Sequence, residues 1–231
     1  MTQSDYDQFA EAYAAANAEG FFNAWYEKPA MLGLAGNVTG QRILDAGCGT
    51  GPTIGALTER GADVSGFDVS AAMIGIARRR LPGADLQVHD LGKPLPWEDA
   101  TFNTVVASLV LHYLRDWTGP LRECHRVLKP NGRLLISVNH PGAFPIVHPD
   151  LEYFGITEYT EDYELGGISV DLTFFHRPLS AMAESFAAAG FRIVGIHEPP
   201  AAPDTPEDVL PPGLRAGERF LGFLFFDLEV L

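Results

Sequence analysis

Basic residues are scarce in this chain: sixteen lysines and arginines stand against thirty aspartates and glutamates, a formal net charge of −14. Tight binding to a phosphate backbone wants several clustered cations. The densest basic stretch, Arg78-Arg79-Arg80, ends a predicted helix, where cations suit the C-terminal dipole. No nucleic acid and no anionic membrane is therefore expected as a partner, and a neutral or cationic small ligand is easier to accept. Cysteine is nearly absent too. Cys48 and Cys124 cannot build a disulfide framework or a zinc site by themselves, and both are read as structural. No apolar run reaches the roughly 20 residues that span a bilayer. The first seven residues lack the basic start and apolar stretch of a secretory signal, so a cytoplasmic location is expected. The histidines show no spacing of two at i, i+4 on one helix face, and no metal site is expected.

What remains is an ordinary globular composition, 231 residues of which 46% are hydrophobic and 20% charged. That is enough to bury a sizeable core. The chain is read as one domain over 1–231, with a helical cap at 1–40 and an insertion at 140–177 that covers the site as a lid. In the cap, Tyr6, Phe9 and Tyr13 recur at i, i+3, i+7, and Phe22, Trp25 and Tyr26 continue the stripe until Pro29.

After Gly40 the pattern alternates between strand and helix. Residues 42–46 read as a strand, Pro52 opens a helix that Gly61 closes, and residues 63–68 make the second strand. Ser70 can cap a helix running to Leu81. Residues 85–89 give a third strand, and 102–111, almost unbroken apolar sequence, a fourth that is covered on both faces. A helix over 116–128 and a strand over 133–138 follow. Strand–helix repetition of this kind means a doubly wound, Rossmann-like α/β fold with a mostly parallel sheet. Two β-like runs, 158–165 and 168–175, joined by Gly166-Gly167, predict a hairpin inside the insertion. A helix at 178–189, a strand at 191–196 and a last apolar run at 220–231 complete the chain.

Chemistry enters at Asp45-Ala46-Gly47-Cys48-Gly49-Thr50-Gly51, between the first strand and its helix. Glycines here let the backbone turn sharply and approach a ligand, and the helix N-terminus offers free N–H donors. Tight strand–helix turns also use glycine structurally, so context decides. Asp68 ends the second strand, where a carboxylate can accept from ribose hydroxyls, and Asp90 ends the third at the sheet's ligand edge.

Together with the sequence around Asp90 and the Leu-Lys-Pro-Asn-Gly-Arg before the fifth strand, this loop resembles the class I S-adenosylmethionine-dependent methyltransferases. Dinucleotide dehydrogenases space their glycines G-x-G-x-x-G, whereas this loop reads G-x-G-x-G with an aspartate two residues before the first. The resemblance implies S-adenosylmethionine as cofactor and a small-molecule acceptor, methylated on oxygen or nitrogen. It implies that Gly47, Gly49 and Gly51, with Cys48 among them, line the amino-acid end of the cofactor, and that Asp45 orients the loop or receives the ammonium. Asp68 would hold the ribose, Val69 and Met73 would pack near the adenine, Asp90 with Leu91 beside it would meet the adenine amino group, and Ser108 would offer a backbone contact. An N-terminal aromatic, Tyr6 or Tyr13, would close over the cofactor or else pack its helix. The final strand would pair antiparallel. An NAD-dependent oxidoreductase and a non-catalytic S-adenosylmethionine-binding module are the alternatives, and a monomer or homodimer fits either.

A phenol, alcohol or ammonium acceptor must lose a proton, and a neutral histidine is suited to take it. His112 follows the fourth strand and His140 the fifth, both at the ligand edge, and His176 stands where the insertion returns to the core. His140 is the first candidate base, with His112 and His176 as the others; the alternative for each is a structural histidine hydrogen-bonded at a strand end.

Overall fold

Phe102, Val105, Val106 and Ala107 are buried, and residues 102–108 form β4 (Phe102–Ser108), the central strand of a seven-stranded sheet. The structure, a computed structural model, describes residues 7–165 and 167–231. The sheet runs β3 (Asp85–Val88), β2 (Asp63–Asp68), β1 (Arg42–Ala46), β4, β5 (Leu128–Asn139), β9 (Phe223–Val230), β8 (Phe191–His197). All pairings are parallel except those of β9, which runs antiparallel to both neighbours. Strand order reverses between β1 and β4, and open α/β sheets bind ligands at that switch point.

The continuous apolar strands resolve into two alternating sets, because successive strand residues face opposite ways. Leu44, Val105, Leu134, Ile136 and Phe226 pack under α5 (Thr118–Val127) and α7 (Leu179–Ala188), with Trp117, Leu121 and Phe186 from that layer. Ile43, Val106, Leu135 and Phe225 pack on the other face under α2 (Lys28–Ala35), α3 (Pro52–Glu59) and α4 (Ala71–Arg80). Fully burying one such side chain contributes about 1.5–3 kcal/mol. Trp117 also satisfies its indole, donating to Leu111 O at 2.8 Å.

Two regions differ from the sequence pattern. Pro29 does not end the N-terminal helical region: it sits in the first turn of α2, where a missing N–H costs nothing. Between α1 (Ala10–Glu19) and α2 lies a π-helical turn, Phe21–Glu27. The fifth strand begins at Leu128 rather than Arg133, with a register shift against β4 and Asn131 at φ +60°. In the insertion, β6 (Thr157–Leu165) and β7 (Ile168–His176) form the expected two-stranded hairpin, preceded by a short helix, α6 (Phe144–Val147), that periodicity did not suggest. Val170, Leu172 and Phe174 of β7 pack with Phe9, Ala10 and Ala14 around α1 and with Met73 and Ile76 of α4, so the N-terminal helix is held between sheet layer and hairpin.

Candidate active site

The loop after β1 is tied to the next strand by its own backbone. Gly47 N and Cys48 N both donate to Phe67 O at 2.9 Å. Gly47 has φ +78°, and a Cβ there would meet Val110 Cγ2 at 2.5 Å; Gly51 has φ +82° and would strike Leu81 Cδ1 at 2.7 Å. Both positions need glycine for conformation and for space. Asp68, at the end of β2, fixes the loop from the other side: its carboxylate accepts from Gly49 N at 3.0 Å and from Ser70 N at 2.9 Å. Ser70 in turn caps α4, its Oγ accepting from Met73 N at 3.1 Å.

These elements enclose a cavity of about 250 Å³ lined by Tyr13, Asn17, Asn23, Glu27, Asp45, Gly47, Cys48, Gly49, Asp68, Met73, Ser108 and Tyr113, with Lys28 and Arg80. Its acidic groups are unusual. Asp45 is 1% exposed, and among the described residues neither carboxyl oxygen has a hydrogen-bond partner. Burial pushes the Asp45 carboxyl up to about 8, with Glu27 and then Asp68 adding to the rise. Glu27, also buried, accepts from Ser137 Oγ at 2.7 Å, and burial raises its carboxyl against that bond. Burial raises Asp68 as well, opposed by the Ser70 and Gly49 amides. Orphaned buried acceptors of this kind cost about 1–3 kcal/mol each until something donates to them. An ammonium or sulfonium ligand with hydroxyl donors fits that need.

A second cavity, about 230 Å³, lies beside the first. Neighbouring residues face the two: Asn23 and Tyr113 line one, Phe22 and His112 the other. Its walls are aromatic, including Trp117, Phe144, Tyr159 and Phe175, and it gathers His112, His140, His148 and His176. The histidines are not equivalent. His112 is buried, its Nδ1 accepts from Asn139 N at 3.2 Å, and burial drives its pKa down to about 3. His140 has both ring nitrogens engaged, Nδ1 accepting from Gly142 N at 3.0 Å and Nε2 facing Glu198 Oε1 at 2.9 Å. His176 stacks on Phe144 at 3.7 Å and 7°. Its Nε2 lies 2.7 Å from Tyr153 O. A carbonyl only accepts, so Nε2 carries the proton and Nδ1 keeps its lone pair. Burial lowers the His176 pKa, opposed by that bond.

Of the residues expected to hold a cofactor, Tyr13, Asp45, Gly47, Cys48, Gly49, Asp68, Met73 and Ser108 line the first cavity. Gly51, Val69, Asp90 and Leu91 are not among its lining residues. Asp90 is exposed and accepts from Gly92 N at 2.8 Å. Leu91 packs in the core on the α5 side of the sheet. Tyr6 lies outside the described residues. Glu27 escaped sequence reading because its partner Ser137 is 110 residues away. His148 and Glu161, paired at 3.3 Å, carried no motif. Among the described residues no cluster suited to a metal ion occurs, and no helix is long and apolar enough to cross a membrane.

A glycine loop at the switch point of a doubly wound sheet, with an acidic residue closing it from the next strand, defines a class of nucleotide-binding α/β proteins. Comparison narrows the class. Residues 44–136 match the methyltransferase-domain family model. A protein of Mycolicibacterium smegmatis described as a probable S-adenosylmethionine-dependent methyltransferase is 30% identical over 196 residues, 80% of this chain and 75% of that one. Demethylmenaquinone methyltransferase of Clavibacter sepedonicus is 35% identical over 147 residues, 62% of this chain, and the match spans 59% of that relative's length. The crystal structure of an S-adenosylmethionine-dependent methyltransferase from Mesorhizobium loti shares the fold, with a TM-score of 0.63 at 22% identity over 87% of this chain and 96% of that one. The chain belongs to the S-adenosylmethionine-dependent methyltransferases, and S-adenosylmethionine is its cofactor.

Proposed function

We propose that this protein transfers a methyl group from S-adenosylmethionine, held in the glycine-loop cavity, to the oxygen or nitrogen of a small molecule in the aromatic cavity beside it. The carrying observation is the pairing of the two cavities across one wall: unpaired buried acceptors in the first, histidines and aromatics in the second. The named acceptor of the Clavibacter relative, demethylmenaquinone, supports a small-molecule acceptor here. When bound, the cofactor supplies an electrophilic methyl on a cationic sulfur. The chain's own work is holding and aligning: Asp45 and Ser108 for the amino-acid end, Asp68 and the Gly49 loop for the ribose, Met73 and Tyr13 around the rest.

The test is formation of S-adenosylhomocysteine with a panel of phenols, amines and hydroxy acids. Binding of S-adenosylmethionine with no turnover on any acceptor would leave a binding module instead of an enzyme. The chain's assembly as one domain, with residues 1–40 as a cap and 140–177 as a lid, belongs to the same proposal. Hydrogen exchange with S-adenosylhomocysteine plus acceptor should add protection within 140–177; equal exchange with and without ligand would reduce the hairpin to a fixed appendage.

Charge in the first cavity gives a pH signature. A carboxyl raised to about 8 is protonated in the free protein at neutral pH, and a cationic ligand favours its ionised form. Cofactor affinity should therefore rise between about pH 6 and 7.5, approaching about tenfold per pH unit, with proton release detectable in buffers of different ionisation heat. Because the folded value lies above the ordinary 3.8, the stability this carboxyl contributes to the free protein is present below 3.8 and lost as pH rises through about 8. Asp45→Asn should abolish the proton release. Affinity independent of pH over that window would refute the assignment.

A further inference from the structure

The second cavity contains a cation with no ion-pair partner among the described residues. Arg177, at the end of the hairpin just after β7, is 6% exposed and lines this cavity together with Trp117, over whose ring its Cζ lies at 4.5 Å. Among the described residues it makes no ion pair: one N–H, on Nη2, donates to Arg115 O at 2.7 Å, and Nε is buried with no partner. The Asp116 carboxylate acts on it only at longer range. Among the described residues, the protein thus engages one of the five guanidinium N–H groups. A buried, unpaired charge is costly, and a protein keeps one where a ligand completes it.

The rest of the cavity agrees. Its sole acidic lining residue among the described residues, Glu161, is already engaged by His148 Nε2 and by the Tyr163 hydroxyl at 2.7 Å. The first cavity is acidic; the second, within a chain of net charge −14, is not. The whole-chain charge that favoured a neutral or cationic substrate does not describe this local site.

We propose that the acceptor is a small acid with an apolar or aromatic body, whose carboxylate Arg177 anchors. The proposal rests on the second cavity being the acceptor site. A planar guanidinium matches a carboxylate with two parallel N–H···O bonds, while Trp117, Phe144 and Phe175 take the body. Oxygen lone pairs committed to the guanidinium are poor nucleophiles, so the anchored carboxylate positions the molecule and a different atom is methylated.

The experiment measures binding to the chain preloaded with S-adenosylhomocysteine, using benzoate, phenylacetate and cinnamate, each against its own carboxamide. Acids should bind at least about tenfold tighter than amides in the wild type. Arg177→Gln should erase that preference while its S-adenosylhomocysteine affinity stays unchanged, and Arg177→Lys should keep part of it. Should Arg177→Gln fail to fold, shown by lost S-adenosylhomocysteine binding, the acid–amide comparison in the wild type and Arg177→Lys still decides. Acids and amides binding alike, no probe binding at all, or an undiminished preference in folded Arg177→Gln would each overturn the proposal. Failure of the wild type to bind S-adenosylhomocysteine would instead strike the cofactor site.

Discussion

Replacing Asp68 with alanine is expected to weaken S-adenosylmethionine binding by about 10²-fold or more. The carboxylate accepts from Gly49 N and Ser70 N. Removing it strands two backbone donors, each worth about 1–3 kcal/mol when left unpaired, besides the acceptors it offers a ligand. Two such losses, about 2–6 kcal/mol, span the about 2.8 kcal/mol that makes a factor of 10². Gly49→Val should match it by another route. Gly49 sits at φ +53° with open space where a Cβ would stand, so a branched side chain strains the turn and enters the cavity. Calorimetry on both variants, with circular dichroism as a control for folding, reads the effect. Folded variants that bind like the wild type would mean that the cofactor is held elsewhere.

The reason this loop is legible from sequence is that its chemistry is contiguous. Asp45 through Gly51 carries the turn, the donors and the carboxylate in seven residues, and Asp68 follows within one strand–helix unit. The central strands are legible for a related reason: burial on both faces makes the middles of β4 (Val105, Val106, Ala107) and β5 (Leu134, Leu135, Ile136) apolar. Legibility fails where partners are far apart in sequence. Glu27 enters the first cavity because a π-helical turn carries it to Ser137, and no local pattern foretells that bond. His140 reads as a free histidine at the ligand edge until Glu198, 58 residues on, takes its Nε2. Asp90 stands after β3 as expected, yet a backbone turn at Gly92 has claimed one carboxylate oxygen. No pattern in the sequence shows that the Arg177 guanidinium lies over Trp117.

If the methylated atom is a hydroxyl or an ammonium, His176→Ala should lower kcat by about 10²-fold or more with cofactor affinity little changed. The ring positions favour one of the three candidate histidines. His112 offers no lone pair, since Asn139 N–H occupies Nδ1, and with its pKa near 3 it stays neutral. His140 would have to give up the Gly142 amide before taking a proton. His176 donates from Nε2 to Tyr153 O and keeps Nδ1 for a proton, held in place by the stack on Phe144. Burial favours its neutral form, so its pKa lies below the ordinary 6.5. The rate should therefore hold steady through pH 6.5 and fall only at lower pH, as the base becomes protonated. His140→Ala and His112→Ala are the comparisons, read in kcat and in the pH profile together. A large loss at His140 with His176→Ala unaffected would move the base to the end of β5 and require the Gly142 bond to open during turnover. No loss at any of the three would mean that the methylated atom carries no proton to remove, leaving alignment between the two cavities as the chain's whole contribution.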